Sequence, residues 1–178
     1  MKVYLDNSAT TQVDKQAAKA MQGAMTKNYG NPGSMHFMGD EAKGLLDQAR
    51  VAIAKAINAN PEDIIFTSGG TEANNLAIKG IATATSKKHI ITTQIEHPSV
   101  TNTCKSLEKQ GYKVTYLPVD KEGFVKPKQV EEAITEDTAL VTIMHANNEI
   151  GTIQPIEEIA KICESKKVPF HTDAVQSF

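Results

Sequence analysis

Arginine is almost missing from this 178-residue chain: of 19 basic residues, only Arg50 is one. A bidentate clamp on a carboxylate or phosphate would depend on that residue or on groups outside the chain. Cysteine is scarce too. Cys104 and Cys163 are the two, too few for a disulfide framework or a thiolate metal cage, and they fit a reducing compartment. No apolar run reaches 18 residues, so the sequence offers no membrane-spanning helix. Val3-Tyr4-Leu5-Asp6 opens the chain with mixed polarity, and no signal peptide is expected. Strong charge is missing as well. A net charge of −2 gives no electrostatic footprint for nucleic acid. Internal repeats and low-complexity segments are absent. The expected setting is the cytoplasm.

What is present is a chain that is 40% hydrophobic and long enough to bury a core. Residues 13–25 (VDKQAAKAMQGAM) and 39–57 (GDEAKGLLDQARVAIAKAI) are Ala-rich and helical in pattern. The second carries Leu45, Leu46, Ala49, Ile53 and Ile57 at helical spacing. Between them, NYGNPGSMH (28–36) is a loop by its Gly, Pro and Asn content. From residue 61 the pattern turns to βα units. Strands are expected at 63–68, 89–93, 113–119, 138–144 and 168–173. Helices are expected at 71–82, 98–110, 126–134 and 155–166, with Pro98 and Pro127 suited to first turns. Such alternation argues for an α/β fold with a mostly parallel sheet and flanking helices. Residues 1–60 then form an N-terminal arm with helices, and 61–178 the first part of a larger domain.

In such sheets ligands collect at the carboxyl ends of the strands. The first strand end carries SGGTEANN. Free N–H groups at a helix start, with glycines that allow close approach, make Gly70 and Thr71 a candidate phosphate cradle. A tight turn with a Thr cap is the other reading. The second end carries QIEHPSV, where the His97 imidazole could stack on a flat ring or move protons, or could simply be structural. The fourth carries MHANNEIG. Asn147 and Asn148 read either as turn residues or as amides facing a ligand, and His145 reads as buried and structural. The last carries HTDAVQ. Asp173 follows an apolar stretch, so its charge is partly buried and needs a partner; Gln176 lies three residues on. A phosphate cradle, an imidazole, two amides and a carboxylate fit one ligand, a phosphorylated aromatic cation. Pyridoxal 5'-phosphate (PLP) is such a molecule, with Asp173 paired to its ring nitrogen.

The stretches YLDNSATT, YGNPGSMH, FTSGGTEANNLAI, IEHPSV, HANNEIGTIQPI and HTDAVQS resemble, in this order, the cysteine desulfurases of the class V aminotransferase family. The resemblance runs the length of the chain. EHPSV and NNEIG are similar to the branch that serves iron–sulfur cluster assembly and nitrogen fixation. The resemblance implies a fold-type I PLP-dependent transferase that converts L-cysteine to L-alanine. It also implies a homodimer that holds the sulfur as a cysteine persulfide and hands it to an iron–sulfur scaffold protein. By the same resemblance Gly70 and Thr71 bind the cofactor phosphate. His97 stacks on the ring and transfers protons, Asn148 and Gln176 face the ring oxygen, and Asp173 pairs with the pyridinium. Asn31, Ser34 and His36 match the loop bordering the substrate pocket. No metal is implied.

One departure qualifies these expectations. The family's Schiff-base lysine, substrate-binding arginine and persulfide cysteine all lie beyond the position of Gln176, and this sequence has none of them there. Cys104 shares a helical face with Val100 and Leu107, and Cys163 with Ile156 and Ile159, so both read as core. The expectation is an amino-terminal half, truncated before the last sheet strands and inactive alone. In the family's seven-stranded sheet the last two strands lie between the first and the fifth. Their absence leaves residues 63–68 without neighbours and 168–173 with one open edge, an aggregation hazard. A complement is therefore expected, either the missing half or a second copy. Two alternatives stand beside this reading. One is a non-catalytic module that docks on a full-length desulfurase or its scaffold. The other is half of a selenocysteine lyase or aminotransferase of the same fold.

Overall fold

The computed structural model describes all of residues 1–178, which form two compact units, Met1–Phe66 and Thr67–Phe178. In the first unit, helix α1 spans Lys15–Thr26. Asp14 starts it by accepting the N–H groups of Gln16 and Ala17 at 2.8 and 3.2 Å, which satisfies donors that the helix itself cannot. Helix α2 spans Phe37–Ile57 and ends where Asn58 turns left-handed, at φ 53°. The loop before α2 packs backbone against helix. A Cβ on Gly39 would lie 2.1 Å from the Ser34 carbonyl oxygen, and one on Gly30 2.2 Å from that of Met38. No larger residue fits at either position.

Residues 63–68, expected as a buried strand, are not one. Pro61–Asp63 form a 3-10 turn, and the backbone beyond it is irregular. Ile64 is buried, but Ile65 is 68% exposed and Phe66 43%. A strand exists only when a neighbour takes its N–H and C=O groups, and this segment pairs with none.

The second unit is a four-stranded parallel sheet in the order β2-β1-β3-β4. Helix α3 is Gly70–Thr83, β1 His89–Thr93, α4 Pro98–Glu108, β2 Lys113–Leu117, α5 Pro127–Ala133, β3 Thr138–Thr142, α6 Ile156–Ser165 and β4 Phe170–His171. The central strands β1 and β3 are buried along their whole length, as two covered faces require. Successive residues face opposite ways. Ile90 and Leu140 pack with Ile78 of α3 and with Val100, Cys104 and Leu107 of α4. Ile91 and Val141 pack with Val130 of α5 and with Ile159 and Cys163 of α6. Both cysteines are thus core residues, and burial raises their thiol pKa values to about 12 and about 11.

Three strands are shorter than their sequence patterns. β2 stops before Pro118, which has no N–H to continue a ladder. β3 stops at Thr142, and the N–H of Met144 turns to the Glu96 carboxylate instead. β4 narrows to two residues at the sheet edge. Its backbone nonetheless stays tied to the chain beside it. Ile143 N–H donates to His171 O at 3.1 Å, and His145 N–H to Asp173 O at 2.9 Å. That last bond fixes where the Asp173 side chain starts.

Candidate cofactor site

Three elements of the second unit converge on Asp173, which is 8% exposed. Its Oδ1 accepts the N–H of Val175 at 3.0 Å, and its Oδ2 accepts the Asn74 side-chain amide at 2.8 Å. Both donors are neutral. The one ion pair in the chain, Lys128–Glu132, is exposed and lies within α5. The carboxylate therefore sits buried at the carboxyl end of the sheet with its hydrogen bonds made and its charge uncompensated. A positively charged group of a ligand suits that position. Nearby, the hydroxyl of Thr172 is buried without a partner.

The start of α3 lies beside this carboxylate. A Cβ on Gly70 would come 2.9 Å from Val175 Cγ2, the residue that holds Asp173 Oδ1. Gly69 occupies the N-cap, and no side chain caps the helix. The alternative reading, a Thr cap, does not hold: Thr71 is the second residue of α3 and exposed, so its hydroxyl lies within the first turn. A Cβ on Gly69 would meet nothing within 4 Å. An uncapped helix start with open space beside Gly69 suits an oxyanion. One side chain competes there. Glu72 folds back to accept the N–H and hydroxyl of Ser68 at 2.7 and 2.6 Å. These two bonds lower its pKa.

His97 follows β1 and caps α4. Its Nδ1 accepts the Ser99 N–H at 3.1 Å and lies 2.8 Å from Ser99 Oγ. The residue itself is exposed, so the imidazole is anchored at one nitrogen and open to a ligand. A groove of about 320 Å³ brings it together with Thr71, between Asn75 and Lys79 of α3 and Asn102 and Ser106 of α4.

Glu96, one residue earlier, points the other way and is buried. It accepts the Thr93 hydroxyl at 2.7 Å and the Met144 N–H at 3.0 and 3.1 Å. Burial is the main cause that raises its pKa to about 7, and the negative charge of Asp173 adds to the effect. Glu96 thereby ties the turn that carries His97 to the end of β3. His171 is bonded to Thr142 Oγ1 at 2.8 Å; burial lowers its pKa, and Asp173 opposes that shift.

After β3, Asn147 does turn work. Its Oδ1 accepts the N–H groups of Glu149 and Ile150, and its Nδ2 donates to Ile95 O at 2.9 Å. That leaves Asn148, half-buried, as the amide of the pair that could face a ligand. His145, expected to be buried, is half-buried after β3 and bonded to Ser177 Oγ at 2.8 Å. Gln176 is exposed in the turn after Asp173. The loop residues Asn31, Ser34 and His36 belong to the first unit. Asn31 Oδ1 accepts Gly33 N–H at 2.8 Å, His36 precedes α2, and Ser34 lines a cleft of about 780 Å³ with Arg50. Arg50 lies 5.0 Å from the Phe66 ring and donates to the Ile64 carbonyl.

Sequence reasoning missed Asn74, Ser99 and Glu96. Asn74 left a signal: it stands four and eight residues before Ile78 and Ala82, on the buried face of α3. A polar residue on such a face needs buried partners.

An open parallel sheet with polar side chains gathered at its carboxyl ends has the layout of a ligand-binding α/β domain. The chain belongs to the class-V aminotransferase family, whose pattern matches residues 3–178. It is 53% identical over 177 residues to the cysteine desulfurase IscS of Dictyoglomus turgidum, covering 98% of this chain and 45% of that protein. The identity to the mitochondrial cysteine desulfurase of Drosophila melanogaster is 50%, over 98% of this chain and 38% of that one. Among solved structures, a NifS-like protein superposes with a TM-score of 0.96 at 45% identity, over 99% of this chain and half of that one. SspA in complex with cysteine superposes at 0.95, also at 45% identity, over 98% of this chain and 51% of that one. The chain spans about half the length of the relatives it matches. The fold is α/β with a parallel sheet and flanking helices, the fold-type I architecture that it shares with these NifS-like structures. None of its helices is long and apolar enough to cross a membrane.

Proposed function

We propose that this chain is the cofactor-binding part of a PLP-dependent cysteine desulfurase acting on L-cysteine. The buried, uncompensated carboxylate of Asp173 carries the reading. It suits a protonated ring nitrogen, and the uncapped N-terminus of α3 beside it suits a phosphate. Bound PLP supplies an electron-withdrawing ring that stabilises negative charge on substrate carbon. The chain's own residues would do the rest. Asp173 keeps the ring nitrogen protonated. Gly70 and Thr71 receive the phosphate through N–H and hydroxyl donors. His97 covers the ring and exchanges protons with the substrate. Asn148 and Gln176 orient the ring oxygen. Asn31, Ser34 and His36 belong to the substrate side. Conversion to L-alanine, persulfide transfer to an iron–sulfur scaffold protein, a homodimer and a cytoplasmic setting complete the proposal.

The test is the chain's affinity for PLP and for pyridoxal, measured by calorimetry. PLP should bind more tightly. Thr71→Ala should narrow the gap by about 1.5–3 kcal/mol, the contribution of a hydrogen bond to a charged group. Asp173→Asn should weaken both ligands alike. Equal affinity for PLP and pyridoxal in the unaltered chain would remove the phosphate cradle and with it this reading.

A further inference from the structure

One polar chain runs through the buried face between α3 and α4. It begins at Asp173 Oδ2, passes 2.8 Å to Asn74 Nδ2, 2.8 Å to Ser99 Oγ and 2.8 Å to His97 Nδ1. Asn74, Ser99 and Asp173 are each less than a tenth exposed. The direction of every bond is fixed. A carboxylate only accepts, so the Asn74 amide must present its nitrogen. That nitrogen has two hydrogens, one for Asp173 and one for Ser99. Ser99 Oγ therefore accepts from Asn74. At the far end His97 Nδ1 already accepts the Ser99 N–H at 3.1 Å, so it carries no proton. The Ser99 hydroxyl hydrogen then goes to Nδ1. The neutral imidazole is left with its proton at Nε2.

We propose that Asn74 is a positioning residue that couples Asp173 to His97 through Ser99 and holds His97 as the Nε2–H tautomer. No proton moves along this path, because an amide cannot relay one. What it passes on is orientation. A positive group docking on Asp173 competes with Asn74 for the carboxylate, and the change is felt at His97 Nδ1. Taking that group to be the cofactor's ring nitrogen rests on the function proposed above; the coupling itself does not. It gives His97 a donor, Nε2–H, before any substrate arrives. Its remaining basic nitrogen is covered from the Ser99 side.

Asp173→Asn should report the coupling. An amide at 173 can turn its own nitrogen toward Asn74 and reverse that amide. Asn74 then accepts from the Ser99 hydroxyl, and Nδ1 loses one of its two donors. Nitrogen-15 spectra of the His97 ring, taken on the chain without cofactor, read this directly. In the otherwise unaltered chain Asp173→Asn should move the Nδ1 resonance. With Asn74→Leu present, the same substitution should leave Nδ1 where it was, a non-additivity that marks coupling. Ser99→Ala cuts the path at its next link and carries the same expectation if Asn74→Leu does not fold, as judged by backbone amide spectra. Ser99→Thr keeps a hydroxyl and should restore the response. An Nδ1 shift of equal size with and without Asn74, or no shift in the unaltered background, overturns the proposal. Failure of the chain to bind PLP would overturn the proposed function and leave these spectra unchanged.

Discussion

Helices α2 and α4 carry similar apolar patterns in the two units and have different outcomes. In α4, Val100, Cys104 and Leu107 are spaced three and four apart, and all are buried against the sheet. In α2, Leu45, Ala49, Ile53 and Ile57 recur every four residues, yet Leu45 and Ile57 are exposed, and the helix buries only Gly39, Ala42 and Ala54. Helix α1 buries nothing. Periodicity marks the stripe a helix could bury. Whether it does depends on a partner surface, and in the second unit β1 and β3 provide one. Most of that unit's stability should therefore come from sheet-to-helix packing, and little of the first unit's from its leucines.

The largest expected effect tests that division. Leu140 is fully buried between β3 and the α3–α4 layer, so Leu140→Ala should cost about 2–5 kcal/mol. The midpoint of urea unfolding, followed by backbone circular dichroism, measures it. A loss under about 1 kcal/mol, small for a core truncation, would erase the contrast between the units.

A second effect appears only above a certain pH. Glu96 has a folded-state pKa raised to about 7 from 4.5. Below 4.5 it is protonated in folded and unfolded chains alike. As pH rises from there, the unfolded chain releases this proton first, so the folded state loses stability up to about pH 7 and then levels off. Glu96→Gln keeps the shape and removes the titration. The variant should match the parent at pH 4 and exceed it at pH 8 by up to about 3 kcal/mol, at about 1.4 kcal/mol per pKa unit. A gap that stays constant across this range would mean that Glu96 keeps its ordinary pKa. His171, whose pKa is lowered, contributes in the opposite sense. Its stabilisation is present above its unfolded pKa of 6.5 and is lost as pH falls, in both proteins equally.

The smallest effect closes the comparison. Leu45→Ala in α2 should change stability by no more than about 0.5 kcal/mol, as for an ordinary surface site. A cost near that of Leu140→Ala would show that α2 has a covered face in solution.

Much of the second unit was legible in the sequence because its signals are local. β1 was expected at residues 89–93 and is His89–Thr93, where a short apolar run is buried on both faces. Pro98 and Pro127 mark the starts of α4 and α5 as expected. Residues 63–68 show the limit. DIIFTS has strand composition, but composition cannot provide the neighbour that a strand needs, and here it has none. Asp173 shows another limit. Its burial and its need for a partner were legible from the apolar residues before it. The partner that the structure gives it, Asn74, is 99 positions away, and no local pattern links the two. The alternative reading of Thr71 as a cap misses by a smaller margin, because Gly69 takes the N-cap and the helix starts two residues earlier than a cap at Thr71 would place it.

The 99-residue span between Asn74 and Asp173 also sets an order of events during synthesis. His97 and Ser99 are two residues apart and can meet as soon as both leave the ribosome. At about 5–20 residues per second, Asp173 follows Asn74 by roughly 5–20 seconds. For that interval the α3 and α4 ends of the path can be in place while the carboxylate is still untranslated. Closing the span costs loop entropy that grows only with the logarithm of its length, so the delay comes from translation rather than from the search. Until then water holds the second hydrogen of the Asn74 amide, and the arrival of Asp173 exchanges that water for the carboxylate.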